Sequence, residues 1–322
     1  MHGASADRDA ARWKRGGWVG RHRYIAFATA LLFVVAAGCG REARSPASSS
    51  DHAGDVLHIV ASLPPEAYFV ERVAGDRAQV ETLVSPGQSP HTYEPTPRQI
   101  AMIESASVFF RTGMPFENAL APKLAEAMPN LRIVDLREGL TLRDMEDHEG
   151  HGSHQDADEG GKDPHIWMDP VQVKIQAETI ANVLCDLCPA DAESFRTNLL
   201  AFDADLDRLD ADVRHLLGPY AGSRVLVYHP AYGYFTDRYG LVEVPIEIEG
   251  KEPTGRELSE TISLAQGIGA RVVFTQPEFA QGPAMAVAQE IGARTVPLSV
   301  LDHDYLECIR RVAEGMAQAL AQ

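Results

Sequence analysis

From Val56 onward, short runs rich in β-branched and aromatic residues alternate with longer stretches of helical periodicity. That alternation is the signature of parallel α/β architecture, in which a helix crosses over between successive strands. The first half carries four such runs: Val56–Ser62, Val80–Val84, Val108–Arg111 and Arg132–Asp135. The second half carries Arg224–Tyr228, Val244–Ile248, Arg271–Thr275 and Arg294–Leu298. Four and four predict two similar α/β lobes, residues 56–170 and 219–322, each on a four-stranded parallel sheet. The halves show no obvious sequence repeat.

The segment between them, residues 171–218, has a different pattern. Phe195, Leu199, Phe202, Leu206, Leu209, Val213 and Leu216 recur at alternating spacings of four and three, with Asp203, Asp205, Asp207, Asp210 and Asp212 on other faces. This predicts one continuous amphipathic helix over 191–217, uninterrupted by Gly or Pro. At 1.5 Å per residue it spans about 40 Å, the height of a domain. A coiled-coil dimer seam fits the same spacing. An intramolecular strut fits better, because Gly218-Pro219 ends the pattern and a strand follows.

The N-terminus reads as a secretory leader. Arg21, His22 and Arg23 precede an apolar run from Tyr24 to Ala37. That run is shorter than the roughly 20 residues a membrane span needs and suits a signal-peptide core. It ends in Ala36-Ala37-Gly38-Cys39, which resembles the bacterial lipobox, where the Cys is lipidated and becomes the first mature residue. Residues 1–38 are therefore expected to be removed, and Cys39 to carry a lipid. The Ser/Ala-rich stretch 39–55 is expected to be a flexible tether. Residues 1–23 are long for an n-region, which points to a start site further downstream.

Composition sharpens this picture. The formal charge of −17 becomes −21 once residues 1–38, with six basic and two acidic side chains, are removed. Nucleic acid is an unsuitable partner for such a chain, since phosphates demand a basic face. An acidic surface is compatible with a cationic ligand. Cys185 and Cys188 have redox or zinc spacing but no second pair, so they read as structural; a disulfide from one of them to Cys308 stays open.

Histidine carries the chemistry. The segment 147–161 holds His148, His151 and His154 among acids and glycines, with nothing apolar to bury, and is expected to be a weak, adaptable metal-attracting loop. Elsewhere single histidines sit in stiffened settings: His91 in Ser85-Pro86-Gly87-Gln88-Ser89-Pro90-His91, His165 in Asp163-Pro164-His165, and His229 in Tyr228-His229-Pro230. Asp302 follows the last strand run, with His303 beside it. Ligands in open α/β sheets bind beyond the carboxyl ends of strands, so two facing lobes would bring His91, His165, His229 and Asp302 into one cleft. Three imidazoles and a carboxylate make a four-coordinate zinc set. A shell filled by protein leaves no position for an activated water, which favours carriage over hydrolysis.

The segments SPHTYEP, DPHIWMDP, VYHPAYGYF and FTQPEF, with the tether, the His-rich loop and the long helix, resemble the metal-specific solute-binding proteins of bacterial ABC importers, nearest to their zinc branch. The resemblance spans residues 56–322. It implies two α/β lobes joined by a rigid helix with the metal between them, and delivery to a permease powered by a cytoplasmic ATPase; a helical strut is stiffer than a strand hinge, so lobe motion is expected to be small. It implies metal ligation by His91, His165 and His229, with Asp302 as the acidic fourth ligand and His303 or Glu94 as substitutes. A histidine at the third position favours Zn²⁺ over Mn²⁺. The expected protein is a lipid-anchored, extracytoplasmic, monomeric carrier and not an enzyme. Gln276-Pro277-Glu278 departs from the family's usual order. The rival readings are a manganese carrier with an adhesin role, and a secreted zinc hydrolase using Glu94 or Glu249 as base. Neither His-Glu-x-x-His nor Gly-x-Ser-x-Gly is present for the latter.

Overall fold

A computed structural model of the chain describes residues 56–145, 161–247, 255–279 and 281–322. The expectations for the leader, Cys39 and the tether, and for His148, His151 and His154, lie outside these residues, as does Glu249.

The first sheet is built from β1 (Leu57–Ala61), β2 (Ala78–Thr82), β3 (Val108–Arg111) and β4 (Arg132–Asp135) in the order β2-β1-β3-β4, all parallel. Helices α1 (Pro64–Ala74), α2 (Pro97–Glu104) and α3 (Pro115–Ala127) fall between successive strands. Then come α4 (Pro170–Leu187) and the long α5 (Ala192–Leu217). The second sheet repeats the first topology with β5 (Arg224–Val227), β6 (Val242–Pro245), β7 (Val272–Thr275) and β8 (Arg294–Pro297) in the order β6-β5-β7-β8. Its helices are α6 (Gly233–Tyr239), α7 (Gly255–Gly267), α8 (Gln281–Ile291) and α9 (Tyr305–Leu320).

The strands match their sequence expectations except for two shifts, and both shifts matter to the site. β2 and β6 each begin and end at least two residues before the apolar run that predicts them. Leu83 and Val84 are fully buried beyond β2 and still donate to the Ala61 and Ser62 carbonyls as the chain leaves the ladder. At β6, Pro245 can donate no ladder bond, and beyond it the Ile246 and Glu247 N–H groups donate to the Val227 and Tyr228 carbonyls, which sets Glu247 beside His229.

α5 is a strut and not a dimer seam. Phe195, Phe202, Leu206, Leu209, Val213 and Leu217 are buried in the chain's own core, Leu199 is partly buried, and Leu216 lies more exposed than the stripe implies. Its aspartates are not merely solvated. Asp205 pairs with Arg72 of α1, and Asp210 takes a two-point contact from Arg238 of α6 at 2.9 and 2.8 Å. One helix therefore holds a basic residue from each lobe.

A single hydrophobic core runs through both lobes, from Ile59 and Phe109 of the first sheet to Val227 and Phe274 of the second. Phe69 of α1 meets Tyr305 of α9 edge-on at 4.9 Å and Phe202 of α5 at 5.9 Å. The Trp167 indole N–H donates to the Val300 carbonyl at 2.7 Å, stitching the first lobe to the loop after β8. A smaller core, including Leu226, Val244 and Val273, packs under α8. Lobes fused in this way are poorly suited to wide opening.

Because Phe69 bridges α1, α5 and α9, Phe69→Ala is expected to destabilise the whole body by about 3–5 kcal/mol. Chemical denaturation should show one transition moved to lower denaturant; two separated transitions would mean that the lobes unfold independently.

Candidate metal centre

His91 is delivered by a loop that the chain pins from two directions. Gly87 at φ +82° turns the chain after Pro86, and the Ser85 N–H and carbonyl bond to Gln88. Beyond His91, the Tyr93 hydroxyl and the Gln99 amide both donate to the Leu83 carbonyl, at 2.6 and 2.8 Å. Gln99 also closes a capping box with Thr96 at the start of α2, so the helix end and the loop share one anchor. Tyr93 packs edge-on against Phe116 of α3.

His165 precedes a single 3₁₀ turn, Ile166–Met168, whose three side chains are fully buried. Asp163 folds back over it, accepting from the His165 N–H at 3.0 Å and from ring Nδ1 at 2.7 Å. His229 follows β5 and presents Nδ1 to Glu247 at 3.0 Å, while Gln276 donates to its carbonyl at 2.9 Å. The Phe279 ring stacks on the His229 ring at 4.1 Å and reaches the His91 ring at 5.9 Å, forming an aromatic wall over this side of the cluster.

The three Nε2 atoms converge. They stand 3.3 Å apart for His91 and His165, 3.1 Å for His91 and His229, and 3.4 Å for His165 and His229. Two nitrogens on one tetrahedral zinc, each about 2.0–2.1 Å from it, must lie about 3.3–3.4 Å apart, so the triangle fits such an ion. The carboxylates on Nδ1 place the ring protons there, which leaves the Nε2 lone pairs of His165 and His229 aimed at each other. Lone pairs repel unless a cation or a proton sits between them. Among the described residues, this is the one group of three or more potential ligands whose donor atoms all lie within 4.8 Å of one another.

The surroundings disfavour a proton as that cation. Burial, reinforced by the neighbouring His229 and His165, pushes the His91 pKa down to about 2. Burial also lowers His229, against the opposing pull of Glu247. Burial alone would raise Asp163, but its contacts with His165 and the charge of Arg143 hold it below the usual carboxylate range. The set thus joins the depressed His91 and His229 imidazoles to a His165 ring aimed by an ionised Asp163, a good sink for a divalent metal.

Asp302 stands apart from this cluster. Its carboxylate pairs with the Arg311 guanidinium of α9, and both side chains are substantially exposed. The position after the last strand is as expected, but the arginine nine residues on draws the carboxylate away. His303 faces Glu71 of α1 at 3.0 Å, and Glu94 lies exposed beside His91. Neither joins the cluster. The argument for carriage from a shell filled by four protein ligands therefore falls away. Sequence reasoning also missed Asp163, Glu247 and Phe279. The Asp two residues before His165 was a usable signal, since Asx side chains bond backbone two residues on. Glu247 and Phe279 reach the cluster only through tertiary folding.

A two-lobed α/β body with a His₃ cluster, two of its rings buried and one half-buried, defines the class of metal-binding solute receptors. The profile of the family described as "Zinc-uptake complex component A periplasmic" (ZnuA) matches residues 59–319, and the chain belongs to that family. It is 28% identical over 285 residues to the "High-affinity zinc uptake system protein ZnuA" of Bacillus subtilis, covering 86% of this chain and 88% of that one. It is 27% identical over 256 residues to the "Manganese-binding lipoprotein MntA" of Halalkalibacterium halodurans, covering 78% and 80%. A solved structure described as "Crystal structure of ZnuA" superposes with a TM-score of 0.76 at 36% identity, covering 83% of this chain and all of that one.

Two measurements check this centre. Asp163→Asn and Glu247→Gln should each weaken zinc binding about 10–100-fold, read by competition with a chromophoric chelator, because each loosens a ring's tautomer and aim. With His91 and His229 depressed, wild-type affinity should fall by at most about tenfold between pH 7 and pH 6, far less than three competing protons would cost. A steep loss already between pH 7 and 6, the range for unperturbed imidazoles, would contradict the burial argument.

Proposed function

We propose that the protein captures one Zn²⁺ outside the cytoplasm through His91, His165 and His229 and delivers it to an ABC permease driven by a cytoplasmic ATPase. The observation that carries this reading is the spacing of the three Nε2 atoms, 3.1 to 3.4 Å, which suits one tetrahedral ion. All three donors come from one chain, which supports action as a monomer. Lipidation at Cys39 would tether the carrier to the membrane, and His148, His151 and His154 would raise the local metal concentration. Family membership supports transport, as do the names of the relatives.

Zinc is preferred to manganese on chemical grounds. Three neutral nitrogens favour the borderline-soft ion, whereas Mn²⁺ prefers oxygen donors. A hydrolase reading would need a base poised over a metal-bound water. Glu247 is committed to the far nitrogen of His229, and Glu94 points into an open groove lined by His91, Phe116 and Lys123. Carriage thus rests on the uncommitted coordination chemistry, the aromatic wall and the family, with no four-ligand shell required.

The test is elemental analysis of protein purified without added metal. Wild type should carry one zinc per chain, and His91→Ala and His229→Ala should each lose it. Cells lacking the gene should grow poorly in chelated medium and recover with wild type but not with either variant. Manganese in place of zinc, or undiminished zinc in both variants, would sink the proposal.

A further inference from the structure

Arg143 lies in the first lobe, after β4, yet its side chain reaches across to the second. Its Nη1 meets Asp163 Oδ2 at 3.2 Å, its Nε meets Asp237 of α6 at 3.1 Å, and Nη1 lies 3.8 Å from Glu243 of β6. The three acids differ in weight. Asp163 and Glu243 are 1% and 2% exposed at their side chains, whereas Asp237 is 62% exposed. The same crossing is made by the backbone: the Tyr234 hydroxyl accepts from the Arg143 N–H at 3.2 Å and donates to the Asp163 carbonyl at 2.9 Å.

Asp163 is thereby held at both ends. Oδ1 accepts from the His165 ring and backbone, and Oδ2 faces the guanidinium. A carboxylate with one buried oxygen left without a cation turns or draws in water, and the ring it aims would turn with it. The space for the guanidinium is made by Gly233, the first residue of α6. A Cβ there would fall 1.6 Å from Arg143 Nη1 and 2.9 Å from Asp163 Oδ2. No small adjustment accommodates both.

We propose that Arg143 is a positioning residue for the metal site: it clasps the second lobe while fixing the carboxylate that aims His165, so that lobe contact and the hold on the metal strengthen and weaken together. This rests on the reading of His91, His165 and His229 as zinc ligands. Gly233 belongs to the device because it is the seat into which the clasp fits. Opening the cleft at α6 would withdraw the second lobe's acids from Arg143, and the loss would reach the metal through Asp163 and His165. A permease that pried on this edge would thereby speed release without touching a ligand.

The experiment uses the full chain and reads zinc release by stopped flow into excess chelator, together with the visible bands of the cobalt-substituted protein. Arg143→Met and Gly233→Ala should release zinc about 10–100-fold faster than wild type and shift the cobalt bands, since both misplace the group behind His165. Arg143→Lys should fall between, keeping the charge but losing the planar fork. Arg310→Met, whose exposed pair with Glu307 on α9 lies outside the clasp, should stay within about twofold of wild type, because exposed pairs contribute little. If Arg143→Met does not fold, Gly233→Ala and Arg143→Lys decide. Wild-type release rates and unshifted bands in folded Arg143→Met and Gly233→Ala, whatever their melting temperatures, would overturn the proposal. A wild type that binds no zinc would instead remove the function proposed above.

Discussion

Two carboxylate–imidazole contacts set the character of this molecule: Asp163 with His165 and Glu247 with His229. Each fixes which ring nitrogen carries the proton, and so which one offers its lone pair. With both lone pairs directed inward in a buried setting, the polypeptide holds a local electrostatic debt that a divalent cation relieves. Everything around the cluster maintains this arrangement against collapse. The Leu83 carbonyl anchors the His91 loop through Tyr93 and Gln99, and the buried turn after His165 prevents that ring from swinging away. The metal would therefore meet donors already aligned, and little ordering entropy is left for binding to supply.

The lobes keep the donors aligned because they are fused. His91 and His165 belong to the first half of the chain and His229 to the second, so their separations depend on how the two sheets sit together. The common core, the α5 strut with an arginine from each lobe, and the Trp167 contact all fix that relation. A two-strand hinge would let the triangle breathe. Here any breathing must come from loops and side chains at the cleft, where Arg143 and Phe279 lie.

Much of this was legible in the sequence because it follows from periodicity. Strand runs of β-branched residues and the four-three stripe of α5 are local signals, and they located eight strands and the strut. Where local pattern and tertiary demand diverged, the reading slipped. Leu83 and Val84 read as strand because they are apolar, but the ladder ends at Thr82 and they are buried as the chain turns toward the site. The three histidines were findable from their proline-braced settings and their place after strands. Asp302 satisfied the same rule, yet Arg311 on the next helix captured it, a pairing that only folding reveals. Glu247 and Arg143 carry no local mark at all; their roles exist only once the second lobe is in place.

The shared core also bears on how such a chain comes into being. α9, the final helix at Tyr305–Leu320, lies against α5, and Tyr305 completes an aromatic contact begun by Phe69 near the start of the first lobe. A polypeptide threaded through a membrane from its N-terminus would present Phe69 long before Tyr305. The first lobe would wait, with apolar surface uncovered, until α9 had crossed. Holding factors in the receiving compartment would have their longest task at that stage, and truncation before α9 would leave both halves unfinished.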